Sequence, residues 1–373
     1  MKKKYIILSI ITLVLLITFV TSFNYFKTSN NYVEDSVNNQ TKITKGISMN
    51  LEQTAGAGDY KTVTQSSWPT KGYKFNAELS RCEKGSELSW DDTKKAVIVS
   101  GNLSDKCYVY FDIYQPKLAE YIKSQYTGTQ GDNALYYHNS TLTNGAGDNS
   151  YRYAGASDSV NNYICLGSDA ATCPDANLFR IIGVFGDQTK VIRAKSVGNQ
   201  KWDTNNSNTW ASSSLNTYLN GTYLTSLGTL AEKIATTTWK VGGGAYANIS
   251  QSVPKTAYQY EVGSSASTTT VDKKIGLMYV SDYGYAADQS GWTTKLSSYS
   301  SNTSKNWLYL GSYEWTISRD SGTTNYAFYV RGTGSVDVYS ATISYAVRPS
   351  FNLESSVKYV SGSGSMSDPI IIE

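Results

Sequence analysis

Hydrophobic and polar residues alternate in several short stretches of this chain, and the alternation predicts β-strands. Between residues 73 and 80, Tyr, Phe, Ala and Leu alternate with Lys, Asn, Glu and Ser, which is typical of a half-buried strand. AVIV at 96–99 and the alternating run from Cys107 to Tyr114 predict two more, with Cys107 facing inward. Cys82 is out of step with its strand, so a bulge or strand end is expected before it. We interpret residues 72–116 as a small immunoglobulin-like β-sandwich module.

A second region, residues 151–373, carries further strand patterns. NLFRIIGVF at 177–185 is almost continuously apolar, as expected of a strand covered on both faces, and Gly186 to Gln188 turns it into a second strand at 190–195. Further strands are predicted at 236–241, 274–281, 315–319, 327–331, 336–339 and 345–351. Apolar residues at steps of four predict a helix over 210–227, in which Gly221 costs about 1 kcal/mol or divides the helix. The expected fold class is β-rich α+β.

Polar segments separate these regions. Residues 26–71 are rich in Ser, Thr, Asn and Gln and are predicted to form a stalk. Residues 117–150 begin with a short amphipathic helical turn containing Leu118 and Ile122, and are predicted to be an interdomain spacer. Inside the second region, the Gly- and Ser-rich segments 242–270 and 282–304 are predicted to be loops that are functional or disordered.

The chain begins with a basic and then an apolar segment, which predicts export. Lysines at 2–4 precede a run of 19 residues from Tyr5 to Phe23 whose only polar members are Ser and Thr. This length lies between a cleavable signal and the roughly 20 residues of a membrane span, so residues 1–25 fit either a signal peptide or an uncleaved signal anchor. The lysines place the N-terminus in the cytoplasm and the rest outside. We expect a single-pass protein on the extracellular face of the cell membrane, or a secreted one.

Charge excludes nucleic acid as a partner. The chain has 33 Lys and Arg against 30 Asp and Glu, so removing the three N-terminal lysines leaves 30 of each sign. A neutral body without a basic cluster lacks the patch that releases counterions from nucleic acid.

The four cysteines predict two disulfides, because an even count outside a membrane is typical of a stapled fold. Three pairings are possible, and proximity in sequence favours Cys82 with Cys107 and Cys165 with Cys173. Zinc is not expected, because the spacing contains no C-x-x-C and His138 is the only histidine. His138 is predicted to be exposed on a loop. No metal and no cofactor is expected.

The region from about Tyr151 to Ile372 resembles a domain of unknown function that is widespread in exported proteins of low-GC Gram-positive gut bacteria. The resemblance is carried by NLFRIIGVF at 177–185, SSSLNTYLNGTYL after Trp210, KIGLMYVSDYGYA at 274–286, NWLYLG at 306–311, EWTISRD at 314–320 and YAVRPSFNL at 345–353. It implies a C-type-lectin-like fold for residues 151–373. The calcium-binding sugar motifs of true C-type lectins, E-P-N or Q-P-D followed by W-N-D, are absent from the sequence, so calcium-dependent sugar binding is not implied.

Aromatic residues in the segment 282–304 are the predicted ligand-binding site. The chain contains 31 Tyr and 9 Phe, and Tyr is enriched where proteins recognise ligands. Tyr283, Tyr285, Trp292 and Tyr299 lie there among Gly, Ser and Asp, a composition like that of a binding loop. Arg348 is predicted to be structural, either reaching the surface or pairing with a carboxylate.

These observations predict a non-enzymatic binding protein that recognises an extracellular glycan or protein and contacts the membrane only through an uncleaved N-terminal helix. The alternative class is a structural surface or pilus-like component that assembles with copies of itself. A third class, an extracellular hydrolase, would need two facing carboxylates among acidic residues predicted to be isolated on the surface: Asp282, Asp288, Glu314, Asp320 and Asp337.

Overall fold

The computed structural model describes residues 46–64, 68–69, 72–91, 94–102, 104–168, 170 and 172–373. It is a β-rich α+β structure with several sheets, 20% helix and 34% strand, as the hydrophobic pattern predicts. The chain divides into two compact units, Met1–Gln115 and Pro116–Glu373. The predicted signal or anchor at 1–25 lies outside the described residues. Among the described residues, no helix is long and apolar enough to cross a membrane.

The described residues of the first unit form six strands in two sheets. The strands are β1 (Ile47–Glu52), β2 (Tyr60–Val63), β3 (Tyr73–Cys82), β4 (Glu87–Asp91), β5 (Ala96–Ser100) and β6 (Cys107–Ile113). A four-stranded sheet has the order β2-β1-β6-β3, in which only β1 and β6 run parallel, and β4 and β5 form a hairpin. The hairpin packs on the sheet, where Trp90 meets Phe111 edge to face at 5.5 Å. The immunoglobulin-like assignment stays a prediction.

The predicted bulge before Cys82 is present. The register between β3 and β6 shifts between Asn76 and Arg81, which brings Cys82 directly opposite Cys107, and the two cysteines are bonded. The alternation predicted for β3 holds only up to this shift, since Leu79 beyond it is 38% exposed. An irregularity in the ladder turns the following side chains to the other face.

The polar stalk predicted for 26–71 is wrong for its later part. β1 lies in the middle of the four-stranded sheet, and Met49 and Leu51 are buried in its core. The sparse apolar residues of this segment are placed at alternate positions, which is enough to cover one sheet face. The part before residue 46 lies outside the described residues.

In the second unit, the residues that the structure describes form sixteen strands and five short α-helices. The strands are β7 (Leu135–Tyr137), β8 (Tyr151–Tyr153), β9 (Tyr163–Cys165), β10 (Leu178–Phe185), β11 (Gln188–Arg193), β12 (Asn199–Lys201), β13 (Thr237–Lys240), β14 (Thr270–Lys273), β15 (Ile275–Gly276), β16 (Glu314–Arg319), β17 (Tyr326–Val330), β18 (Val336–Ser340), β19 (Ser344–Ala346), β20 (Ser350–Leu353), β21 (Tyr359–Ser361) and β22 (Ile370–Ile372). The helices are α1 (Leu118–Ser124), α2 (Ser214–Tyr218), α3 (Leu224–Ser226), α4 (Pro254–Glu261) and α5 (Val280–Tyr285). Single turns of 3₁₀-helix lie at Asp132–Ala134, Asp175–Asn177 and Trp210–Ser212, and longer 3₁₀ segments at Gly228–Lys233, Gln289–Thr293 and Leu296–Lys305.

A nine-stranded sheet is built around the predicted hairpin β10–β11. Its main order is β15-β20-β11-β10-β9-β22-β21, with β8 pairing with β10 and β7 with β8. β10 is buried along almost its whole length, as its continuous apolar sequence predicts. Gly183 is required where β8 approaches, because a Cβ there would lie 2.2 Å from the Tyr151 carbonyl oxygen.

A five-stranded sheet of order β12-β19-β16-β17-β18 forms the second layer, and β13 and β14 form a separate ribbon. The predicted strands at 315–319, 327–331 and 336–339 are confirmed by β16, β17 and β18. The strand predicted at 345–351 is divided into β19 and β20 around Pro349, which has no N–H to donate to a ladder.

Residues 117–150 do not form the predicted spacer. The helical turn is present as α1, but Leu118 and Ile122 are buried in the core of the second unit and β7 joins its large sheet. The helix predicted at 210–227 is divided into α2, a π-helical turn at Leu219–Tyr223 that contains Gly221, and α3. The predicted loop 242–270 contains α4.

Candidate functional site

The four aromatic residues predicted to bind a ligand are buried, and the prediction that placed them on a binding loop is wrong. Residues 282–304 form most of α5 and two 3₁₀ segments instead of a loop. Exposure is 1% for Tyr285 and 0% for Tyr283, Trp292 and Tyr299. The glycines of this segment predicted a loop, but Gly284 instead permits close packing of a helix. A Cβ on Gly284 would lie 2.8 Å from the Pro254 side chain.

The polar atoms of these aromatic side chains are used inside the protein. The Trp292 indole N–H donates to the Ala287 carbonyl at 2.9 Å, and the Tyr299 hydroxyl donates to the Gly284 carbonyl at 2.7 Å. The Tyr283 hydroxyl donates to the Gly334 carbonyl at 2.8 Å. Buried aromatic residues with satisfied polar atoms stabilise a fold and cannot contact a ligand.

His138 is buried beside this cluster, so its predicted exposure is also wrong. Its ring lies 4.8 Å from the Tyr285 ring and 5.0 Å from the Trp292 ring, and it is 0% exposed. Nδ1 accepts a hydrogen bond from the Ala146 N–H, whereas Nε2 has no partner. Burial lowers the pKa of His138 well below its usual value, and the nearby Arg152 charge acts in the same direction. The imidazole is therefore neutral.

The five-stranded sheet presents a row of tyrosines on one face. Residues directly opposite in a ladder share a face, and the pairs Trp315 with Tyr329 and Tyr329 with Asp337 place these three side chains together. The alternate residues Glu314, Phe328 and Val330 face the core, where they are at most 1% exposed. Tyr326, the first residue of β17, has the same parity as Phe328 and Val330, but its ring reaches that of Tyr339 at the end of the strand. We call Tyr313, Tyr326, Tyr329, Tyr339 and Tyr345 the tyrosine face.

The rings of the tyrosine face are in contact across the sheet. Tyr313 stacks on Tyr345 with centroids 5.2 Å apart and an interplanar angle of 20°, and Tyr329 lies 4.8 Å from Tyr345. Tyr339 continues the row at 6.4 Å from Tyr329, and Tyr326 stacks on Tyr339 at 6.5 Å. Tyr313 and Tyr339 are each 49% exposed and Tyr326 is 38% exposed. Tyr329, in the middle of the row, is only 3% exposed, so the rings that are open to solvent lie toward the two ends of the row.

A buried tryptophan supports this surface from below. Trp315 is covered by Tyr345 at 4.7 Å and by Tyr329 at 5.9 Å, and its indole N–H donates to the Gln200 carbonyl at 3.0 Å. Since Trp315 is 0% exposed, the rings above it rest on a fixed base. A preorganised aromatic surface loses little conformational entropy when a ligand binds.

A polar pair borders the tyrosine face. Arg331 is exposed and donates from Nε to the Asp337 carboxylate at 3.1 Å, and Asp337 is directly opposite Tyr329. Burial raises the pKa of Tyr329 to about 12, the Arg331 charge opposes this rise, and the Asp337 charge adds to it. Burial likewise raises the pKa of Tyr345. Tyr329 and Tyr345 therefore stay protonated at neutral pH.

The five carboxylates considered for a hydrolase each contact different partners. Three of them are buried, so the prediction that all five lie on the surface is wrong for these three. Asp282, Glu314 and Asp320 are at most 5% exposed. Glu314 pairs with Arg348, which settles the two alternatives predicted for that arginine in favour of a carboxylate partner. Asp337 pairs with Arg331, and Asp288 accepts the Ser290 N–H at the start of a 3₁₀ segment.

Asp282 is the centre of a buried charged cluster. Its Oδ2 lies 2.5 Å from Lys190 Nζ and its Oδ1 lies 3.6 Å from Arg152 Nη1. Arg152 also contacts Asp148 at 2.7 Å, and Lys190 Nζ lies 4.6 Å from the Tyr279 ring centroid. Burial lowers the pKa of Lys190 and the Asp282 charge opposes that shift. Since the cluster packs β8, β11 and α5 together, we assign it to stability.

Both predicted disulfides are present, Cys82 with Cys107 and Cys165 with Cys173, and the four cysteines leave no free thiol. Among the described residues, no group of three or more His, Cys, Asp or Glu side chains is arranged to hold a metal ion.

Comparison with known proteins assigns part of the second unit to a family. Residues 186–355 match the model of a domain of unknown function, DUF6273. The matched range contains the whole five-stranded sheet and the tyrosine face, and leaves β7–β10 and β21–β22 outside. No curated protein and no solved structure matches the chain. The chain therefore contains a DUF6273 domain, and this match supplies no activity.

Sequence reasoning missed the tyrosine face although it predicted most of the strands that carry it. Strand propensity favours tyrosine, so a tyrosine on a strand is expected to be an ordinary occupant of an outer sheet face. The signal is present in the alternation: Tyr313, just before β16, has the same parity as Trp315 on β16, and Asp337 and Tyr339 share one parity on β18. The sequence alone does not give the order of the strands in the sheet, and it is this order that brings the tyrosines of neighbouring strands together on one face.

Proposed function

We propose that the protein is an exported, non-enzymatic binding protein whose tyrosine face recognises a glycan outside the cell. The observation that carries the proposal is the connected row of tyrosine rings on a rigid sheet, exposed at Tyr313, Tyr326 and Tyr339. Large aromatic patches on a protein surface are typical of binding sites, and Tyr combines an apolar ring with a polar tip. Export of the body and a lectin-like fold of the second unit are part of the same proposal.

Glycan is the ligand class that suits this surface best. The C–H faces of a pyranose ring pack against flat aromatic rings, and the row offers several such rings side by side. Tyrosine hydroxyls and the Arg331–Asp337 pair offer both donors and acceptors for sugar hydroxyls along the border. One positive and one negative side chain give the border no net charge, which favours a neutral ligand over a charged one.

The test is a glycan array probed with the full chain, purified in mild detergent because of its hydrophobic N-terminal run. Tyr313→Ala and Tyr339→Ala are each expected to weaken binding to any enriched glycan about tenfold or more, since a central aromatic contact is worth about 2 kcal/mol. Tyr108→Ala is the matched control, because Tyr108 is a half-buried tyrosine on a strand of the first unit. Equal loss in the control, or unchanged binding in both variants, would refute the proposal.

Self-assembly is the second candidate function. β18 is an edge strand next to the tyrosine face, and an exposed aromatic surface beside an open sheet edge also suits contact with a second copy. Sedimentation velocity over a range of concentrations separates the two functions. Concentration-dependent polymers that Tyr339→Ala dissolves would favour assembly, whereas a monomer that enriches a glycan would favour recognition.

A further inference from the structure

A cleft of about 250 Å³ opens in the second unit, within the part formed by β10, β11 and the segment around Tyr223. Its apolar wall consists of Leu166, Phe179, Leu227 and Leu230, and its polar groups include Arg193 and Tyr223. We call it the Arg193 cleft. Its volume lies below the usual range for drug-sized ligands, so it suits a small molecule.

Two of the polar side chains that line the cleft have buried atoms without a hydrogen-bond partner in the protein. Tyr223 is only 5% exposed, yet its hydroxyl has no hydrogen-bond partner. Arg193 Nε is buried and also lacks a partner. Burial raises the pKa of Tyr223, and the Arg193 guanidinium opposes that rise by its charge and as a nearby donor. The hydroxyl and the guanidinium are thus neighbours, but they do not meet at the distance and angles of a hydrogen bond. Unpartnered buried polar atoms beside a cavity indicate a missing ligand group.

The charge of the cleft favours an anion. No acidic residue lines it, and among the described residues Arg193 forms no ion pair with a carboxylate. The nearest lysine along the strand, Lys195, is already paired with Asp175. Arg193 therefore contributes a single uncompensated positive charge beside the apolar residues of the wall.

The walls are fixed by local structure. Arg193 lies directly opposite Phe179 in the β10–β11 ladder, so both side chains are on one sheet face. Tyr223 is the last residue of the π-helical turn, and π-turns are frequent at functional sites. The Asn177 amide donates to the carbonyls of Leu166 and Gly167 at 2.7 and 3.0 Å. The disulfide Cys165–Cys173 closes the loop that carries this wall.

We propose that the Arg193 cleft binds a small organic carboxylate with a short apolar group. The guanidinium presents a planar pair of donors that matches a carboxylate, and the Tyr223 hydroxyl supplies a third donor. The leucines and Phe179 then enclose the hydrocarbon part. An inorganic anion would leave that apolar wall unused, and a neutral molecule would leave the arginine charge unpaired.

Sodium benzoate is the probe, with benzamide as its neutral analogue and sodium acetate as the carboxylate without a ring. Saturation-transfer NMR and thermal shift on the full chain are expected to show benzoate binding. Benzamide and acetate are each expected to bind at least about tenfold more weakly, since a charge-assisted hydrogen bond and a buried ring each account for about one decade. Equal binding of benzoate and benzamide, or no binding of benzoate at all, would overturn the proposal.

Two variants locate the binding. Arg193→Gln is expected to weaken benzoate binding about tenfold or more, and Tyr223→Phe about two- to tenfold while leaving the ring in place. Arg81→Gln is the control, because Arg81 is an exposed arginine on β3 of the first unit and should leave benzoate affinity unchanged. If Arg193→Gln fails to fold, the benzoate affinity of Tyr223→Phe alone decides whether the ligand lies in the Arg193 cleft. Full benzoate affinity in either folded cleft variant would place the ligand elsewhere and refute this site.

Discussion

The guanidinium of Arg348 is held by Glu314 in a buried, two-pronged ion pair. Arg348 Nε lies 2.6 Å from Oε1 of Glu314, and Nη2 lies 2.9 Å from Oε2. Nη2 also donates to the Leu308 carbonyl at 2.5 Å. Both charged side chains are at most 3% exposed. The pair connects β16 with the segment between β19 and β20. Pro349 lies in that segment and has no N–H to donate, so the ion pair supplies a connection that the backbone cannot make there.

Removing Arg348 is expected to destabilise the protein strongly. Arg348→Ala leaves Glu314 buried without its counter-charge, which should lower the free energy of unfolding by about 3–5 kcal/mol in urea denaturation of the full chain. Arg331→Ala, which breaks the exposed pair with Asp337, should cost less than about 1 kcal/mol. A stable Arg348→Ala variant that lost an activity would contradict the structural role.

Asp282→Asn is expected to destabilise the second unit by a similar amount. The substitution leaves the cations of Lys190 and Arg152 buried with less negative charge between them, and breaking a buried pair costs about 3–5 kcal/mol. Asp288→Asn serves as the control, because Asn also caps a helical turn and the change should be nearly neutral. Equal unfolding midpoints for the two variants would contradict the assignment.

Trp292→Ala tests stability instead of binding. Trp292 is 0% exposed and contacts the rings of Tyr136, His138 and Tyr285, so its truncation should leave a cavity and cost about 3–5 kcal/mol. Tyr339→Ala, at a position 49% exposed, should change stability by less than about 1 kcal/mol. Thermal unfolding monitored by circular dichroism should give a lower melting temperature for Trp292→Ala than for Tyr339→Ala. The opposite order would show that this aromatic cluster is not part of the core.

Stability should fall when the pH drops below about 6.5. His138 has its pKa lowered in the folded state, so the unfolded chain binds a proton that the folded chain does not, and the free energy of unfolding decreases as the pH falls through the unfolded value of 6.5. The expected loss between about pH 7.5 and about pH 5.5 is roughly 1–2 kcal/mol. His138 is the only histidine, so His138→Phe should flatten the profile over this interval. An equally steep profile in the variant would assign the effect to other groups.

Loss of the first disulfide should destabilise the first unit. Cys82 and Cys107 are 25 residues apart, and replacing both by Ser should cost about 2–4 kcal/mol through the entropy of the unfolded loop. Hydrogen exchange at β1 and β6 measures the effect where these strands pair. The Cys165→Ser/Cys173→Ser variant is the comparison, because it opens a separation of only 8 residues and should leave exchange in β1 and β6 unchanged.

Local sequence predicted the elements whose pattern and turn chemistry agree. The apolar run at 177–185 followed by Gly186 and Asp187 predicted β10, β11 and their hairpin, and the parity break at Cys82 predicted the register shift in β3. Proximity alone predicted both disulfides. In each of these cases the determining information lies within a few tens of residues.

The buried charged cluster and the tyrosine face are both formed by residues that are distant in sequence. Lys190 lies in an apolar strand context, but its partner Asp282 is 92 residues away, and only the folded chain joins them. The Gly- and Ser-rich composition around Tyr285 suggested a loop, because its close packing against Pro254 was not readable from local pattern. The tyrosine face likewise depends on strand order, which brings Gln200 on β12 opposite Tyr345.

The position of β22 sets the order of events as the chain is made. Ile370 on this last strand pairs with Ile164 on β9, and β22 lies between β9 and β21 inside the nine-stranded sheet. A chain that emerges N-terminus first, from a ribosome or through a membrane channel, therefore holds β9 with one open side until β22 has also emerged. A chain cut before β22 would present that unpaired edge to its neighbours.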